Sequence, residues 1–240
     1  SERANRMKLL LAHRRTLKRK LLDIENEVRQ SLKMFGLMVG PRVQRSTFCN
    51  RVRELVAGDP LLQVLSESML TCWQVLWDQY RELHKMLVQL VGQEELCRRW
   101  CEIPGVGPVT AMTFMAAVDD PHRFAKSKTL GAHFGLTPKR EQSGTSVDRD
   151  GHISRRGDGE VRTALYEAAS GMLTRSKQHS TLKAWGMKIA TKRGHKRAVV
   201  AVARKLAVIM HRMWIDGSRF RFSAANDQPE SSGNAVAVQA

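Results

Sequence analysis

Acidic residues all but vanish from the last third of this 240-residue chain, where Asp216 is the only one between Glu167 and Asp227. Over the whole sequence 40 Lys and Arg stand against 23 Asp and Glu, a formal charge of +17 with a pI near 10.4. A field of that sign gathers polyanions, so nucleic acid is the leading partner. An anionic membrane surface would answer the same charge. No run of about 18 apolar residues exists, however, and no amino-terminal signal pattern precedes the first helix, so no membrane role is expected. Cysteine is also scarce. Cys97 and Cys101 share a helix face, but with Cys49 and Cys72 they offer no second Cys/His pair at finger-like spacing, so no metal site is expected in this chain. The four read as reduced thiols of a cytoplasmic protein.

What the chain does have is apolar content, 42%, enough for packed cores. Leu10, Leu17, Leu21, Ile24, Val28 and Phe35 step by threes, fours and sevens, the seam of an amphipathic or coiled-coil helix that Gly36, Gly40 and Pro41 bring to an end. A shorter helix is expected from Thr47 to Val56. After the break at Gly58-Asp59-Pro60 a second long helix runs to about Val91, with Leu62, Leu65, Met69, Cys72, Leu76, Tyr80, Leu83, Leu87 and Leu90 as its stripe. Two such helices suggest an antiparallel hairpin or a coiled-coil arm that joins copies into a homo-oligomer. An ordinary helical core without oligomeric role is the plainer reading.

Beyond Gly92 the pattern changes to shorter helices, expected at 93–102, 109–118, 129–134, 159–173, 181–193 and 195–215, with glycine-rich turns between them. The expected organisation is therefore a long-helix region at 1–91, a second domain at 92–222 and a disordered tail at 223–240, whose hydrophobic content is low. Between Lys139 and Arg155 the helical period disappears, and a loop or short β-hairpin is expected there. The fold class is mainly α. The chain opens on Ser1 with a helical pattern already running by Met7, which reads as a fragment or a processed piece.

Three constellations could carry chemistry. In Ile103-Pro104-Gly105-Val106-Gly107-Pro108, followed by Thr110, two glycines permit a tight turn whose amides could meet a phosphate at the positive end of the next helix, as in a helix-hairpin-helix element. Such an element grips the nucleic-acid backbone without reading bases. A turn whose glycines serve geometry alone is the alternative. Near the carboxy terminus Lys192-Arg193 and Lys196-Arg197 flank Gly194, and Val199, Val202, Leu206, Ile209 and Met213 form an apolar stripe that places Arg204-Lys205 and His211-Arg212 off it. That face is either a backbone-tracking surface or simply solvated. The third is EQSGTSVDRDGHISRRGD at 141–158, where Ser143-Gly144 lies between Lys139-Arg140 and Arg155-Arg156. A serine oxygen attacks phosphorus only when its proton is accepted and cations surround the non-bridging oxygens. Thr145, Ser146 and Ser154 compete with Ser143 on these grounds, and His152 is as well read as a surface residue as a base.

Taken in order, IPGVGPVTAMTF, HRF at 122–124, LGAHFGLTPKREQSG and DGHISRRGDGEVRTALYEAA resemble the carboxy-terminal domain of the insertion-sequence-110 (116/110/902) transposases, from about Ile103 to Phe222. The preceding long helices resemble that family's coiled-coil linker. The resemblance implies a bacterial site-specific recombinase acting on DNA as a multimer, guided by a structured RNA. It places the nucleophile in the step after G-L-T-P, here Gln142-Ser143-Gly144 after Gly135-Leu136-Thr137-Pro138, so Ser143 would form a phosphoserine link to DNA. It also implies magnesium held by acidic residues of an amino-terminal RuvC-like domain, expected to be absent from this chain. Asp148, Asp150 and Asp158, interspersed with arginines, do not make the converging carboxylates such chemistry needs. The alternative is a non-catalytic remnant that binds nucleic acid and oligomerises.

Overall fold

The structure, a computed structural model, describes residues 1–143 and 147–223, and of residues 140–143 and 147–150 the backbone alone. The tail expected at 223–240 therefore lies outside the described residues from 224 onward. The fold is mainly α, and it divides into two compact units, the first Ser1–Gln93 and the second beginning at Glu94.

The first unit holds α1 (Glu2–Lys33), α2 (Phe48–Val56) and α3 (Pro60–Gln93). Ser1 caps α1 by accepting from the Ala4 amide at 3.2 Å. Asp59 does the same for α3, its Oδ1 accepting from Leu61 and Leu62 at 2.9 and 3.0 Å, with Pro60 supplying a preset φ at the first turn. α1 and α3 run antiparallel, since Arg14 reaches Tyr80 and His84 while Glu25 reaches Trp73. Leu21, Val28, Leu32, Val52, Leu70 and Trp73 form the core between the helices. The buried line on α3 is Leu62, Ser66, Leu70, Trp73, Leu87 and Val91, which departs from the expected stripe: Leu65, Cys72 and Leu90 are exposed. Phe35, expected on the seam of α1, stands beyond its end at Lys33 and is also exposed.

A polar node crosses this core. Glu25, 8% exposed, accepts from Arg45 Nε at 2.7 Å and from Trp73 Nε1 at 3.2 Å. Each partner satisfies a charge or donor that burial would otherwise penalise. Trp73, Trp77, Tyr80 and His84 stack in succession along α3, with centroids 5.7, 5.7 and 6.1 Å apart. Arg45 lies over Trp77 and Arg14 over Tyr80.

The second unit contains α4 (Glu95–Cys101), α5 (Pro108–Val118), α6 (Leu130–His133), an antiparallel hairpin of β1 (Pro138–Ser143) and β2 (Val147–Ile153), then α7 (Gly159–Thr174), α8 (Thr181–Arg193) and α9 (His195–Asp216). α9 packs against α7 and α8 and buries Val199, Val202, Leu206 and Met213. His211, expected off this stripe, is buried instead. Its Nε2 meets the Pro121 carbonyl and its Nδ1 the Ser127 hydroxyl, both at 2.9 Å, so the ring ties the 121–129 connection to α9. The sequence pattern missed this because a histidine satisfied on both nitrogens behaves as a core residue.

Candidate nucleic-acid interface and nucleophile

The hairpin that bears Ser143 rises from a base of two chain segments knitted together, 133–137 entering and 154–157 leaving. Ser154 N donates to Thr137 O at 2.9 Å and Arg155 N to Gly135 O at 3.2 Å. Arg162, on α7, donates from Nη1 to the carbonyls of Phe134 and Arg156 at 3.1 and 3.3 Å, fastening both segments to the helix. The approach is so close that a Cβ on Gly135 would stand 2.2 Å from Arg156 O, and one on Gly157 would stand 1.9 Å from His133 O; both glycines have positive φ. Only glycine fits there. Arg155 also has a positive φ of 55°, a conformation that costs a side-chain-bearing residue roughly 1–3 kcal/mol and so points to a functional demand.

Along β1, Ser143 pairs with Val147 at the last described rung before the hairpin's tip. The side chains of Arg140 and Ser143 lie outside the described residues, as do Gly144, Thr145 and Ser146 altogether. Asp158, beyond the hairpin, is engaged in capping α7: its Oδ1 accepts from Glu160 N at 2.8 Å and Val161 N at 3.3 Å.

Beside the hairpin base lies a cleft of about 780 Å³. Arg155, Arg193, Lys196, Arg197 and Arg204 line it, and among the described residues no carboxylate does. Other arginines of the chain have acidic partners, as Arg45 has Glu25 and Arg53 has Glu67. The five in the cleft have no ion pair among the described residues. Leu136, Ile153, Val200 and Ala201 give the cleft an apolar floor, and Tyr166 of α7 adds a ring. Two local choices run against helix preference here. α9 opens on His195, Lys196 and Arg197 with no acid in its first turn, and Gly194 supplies no side-chain cap. Cations at the positive end of a helix weaken it. That weakness is consistent with a site where ligand charge replaces the missing acid.

Of the basic residues singled out in the sequence, Arg155, Arg193, Lys196 and Arg197 thus meet in one cleft. Lys139, Arg156 and Lys192 are exposed outside its lining. Arg204, singled out with Lys205 on the basic face of α9, lines it as well, as does His152, whereas Tyr166 lines it without having been a sequence candidate. Around the IPGVGP turn the geometry supplies a packing reason: Gly105 has a φ of 87°, and a Cβ there would stand 2.2 Å from Ala168 O of α7. Gly107 has open space where a Cβ would be, and Thr110 is buried at 8% exposure.

No disulfide joins the four cysteines, and burial pushes the thiols of Cys49 and Cys101 upward, away from thiolate chemistry. Among the described residues no three His, Cys, Asp or Glu side chains stand together as a metal site, and no helix is long and apolar enough to cross a membrane. Residues 97–184 match the model of the transposase IS116/IS110/IS902 family. Protein y4pF/y4sB of Sinorhizobium fredii is 29% identical over 219 residues, 89% of this chain and 56% of its own. The transposase for insertion sequence element IS1111A of Coxiella burnetii is 31% identical over 195 residues, 77% of this chain and 52% of its own. The pilin gene-inverting protein of Moraxella bovis is 28% identical over 110 residues, 45% of this chain and 34% of its own. The chain spans about half the length of the first two relatives.

Proposed function

Because the chain belongs, through residues 97–184, to the IS116/IS110/IS902 transposase family, we propose that it is the strand-exchange part of a DNA transposase or site-specific recombinase with Ser143 as nucleophile. The Ser143 oxygen bonds to phosphorus as one bridging P–O bond of the DNA breaks; the serine proton leaves and the departing sugar oxygen takes one up. One phosphodiester replaces another, so rejoining by the reverse attack needs no ATP. The observation supporting this reading is that the hairpin carrying Ser143 is clamped, at its base, beside a cleft lined by five cations without carboxylates among the described residues. Such cations compensate the charge of non-bridging oxygens.

Magnesium, which the resemblance attaches to an acidic amino-terminal domain, finds no fit among the described residues. Asp158 is engaged in its cap, and among the described residues no acidic cluster stands near it. No step is assigned to a metal in this chain; when bound by such a domain, the ion would supply charge at the scissile phosphate. A guide RNA and self-association through α1 and α3 complete the proposal.

The test is recombination of a DNA reporter by the complete system: this chain, the acidic domain, magnesium, guide RNA and the element's ends. Ser143→Ala is expected to abolish product while Ser146→Ala and Ser154→Ala retain it. Product from Ser143→Ala would leave the non-catalytic alternative standing.

A further inference from the structure

Resting on the reading of this chain as a nucleic-acid enzyme, we propose that the cleft beside the hairpin receives a single-stranded segment, with its phosphates on the cations and one unpaired base stacked on Tyr166. Size argues first. A cleft of about 780 Å³ is on the scale of pockets that enclose small organic groups, enough to admit an unpaired base. Its chemistry divides in two. Arg155, Arg193, Lys196, Arg197 and Arg204 are placed to meet a chain of phosphates, whereas Leu136, Ile153, Val200 and Ala201 offer nothing to a phosphate and everything to the flat face of a base.

Tyr166 supplies the aromatic platform. It is 37% exposed, on a helix whose buried residues include Val161, Leu165, Ala168, Ala169 and Met172, so the ring is held at the cleft rather than used in the core. A charged groove with an aromatic platform is how proteins hold unpaired strands without reading sequence. The placement also fits the chemistry. Arg155 belongs both to the cleft and to the segment leaving the hairpin, so a strand seated in the cleft runs past the base of the element that bears Ser143.

The test uses the full chain and two fluorescently labelled probes of equal length, a mixed-sequence single strand and its duplex, followed by anisotropy across a salt series. A second single strand carries 2-aminopurine, whose emission is quenched by stacking. The single strand is expected to bind more tightly than the duplex, and to quench on binding. Tyr166→Ala should weaken single-strand binding at least about fivefold and relieve the quench, while Tyr166→Phe retains both. The duplex affinity should be unmoved by Tyr166→Ala, which also confirms that the variant is folded. Replacing Arg193, Lys196, Arg197 and Arg204 with Ala should lower the slope of log affinity against log salt by roughly 0.7 for each single-strand phosphate left without its cation. Equal binding of both probes with no response to Tyr166→Ala would overturn the single-strand assignment and leave the proposed function in place. Binding of neither probe would overturn both.

Discussion

Gly157 occupies a position where no side chain can stand, and that fact links one residue to the chemistry above it. Its φ of 80° and the His133 carbonyl 1.9 Å from where a Cβ would be make Gly157→Ala strained twice over. The substitution should destabilise the second unit by at least about 1–3 kcal/mol in urea unfolding, and should reduce strand exchange even in molecules that remain folded. Gly151, where a Cβ would stand an ordinary 3.4 Å from the Lys139 carbonyl, should tolerate alanine far better. His84 carries a different residue-scale expectation. Arg14 Nε donates to its Nδ1 at 3.2 Å, which requires a neutral ring, and burial together with the Arg14 charge holds its pKa below the ordinary imidazole value. A histidine depressed in the folded state contributes full stability above its unfolded value, about 6.5, and loses it as pH falls through the lowered one. The melting temperature of the first unit should therefore drop as pH is lowered through about 6.5, and His84→Gln should flatten that drop. An identical slope in both proteins would remove His84 from the account. Neither feature was open to sequence reading: Gly135 and Gly157 are far apart along the chain, and their constraint exists only once the two segments touch.

At the scale of elements, the threes and fours in α1 and α3 were legible because burial on one side of a helix leaves that period in the sequence. Phase was not. α3 carries apolar residues on its solvent side too, with Leu61, Val64, Leu65 and Val75 all more than half exposed, so the expected stripe through Leu65, Met69, Cys72 and Leu76 slides off the buried line and passes by Leu70 and Trp73. Leu61, Leu65, Cys72 and Val75 are exposed at heptad-like spacing, a surface suited to a helix from a second copy. Leu65→Asp combined with Val75→Asp should lower the mass measured by light scattering to that of a monomer without changing helicity. Leu87→Asp, at a fully buried position, should instead lower helicity and stability. A parent that is already monomeric would end the arm hypothesis. The hairpin was readable as a loop or short strand pair from the loss of helical period, although nothing in 138–153 announced its register.

For the whole molecule, composition announced a polyanion partner, and five of the basic residues singled out as pairs along the chain converge on one cleft. Their convergence depends on α9 folding back against α7, so it could not be read from spacing. Tyr166 looked like any tyrosine on a helix; only its place in the cleft distinguishes it. Ser143 entered through a resemblance of motifs, and the order of those motifs carried more information than any one of them.

Locating the covalent bond decides whether Ser143 is the residue that joins to DNA. In the complete recombination mixture stopped by denaturation, the protein–DNA adduct is digested with nuclease and trypsin and its fragment ions are read. Residues 141–149 form one tryptic peptide containing Ser143, Thr145 and Ser146, so the fragment ions must separate the three hydroxyls. The expected result is a nucleotide phosphate on Ser143 alone, absent from Ser143→Ala. A nucleotide on Thr145, Ser146 or Ser154, or an adduct that survives Ser143→Ala, would contradict the account.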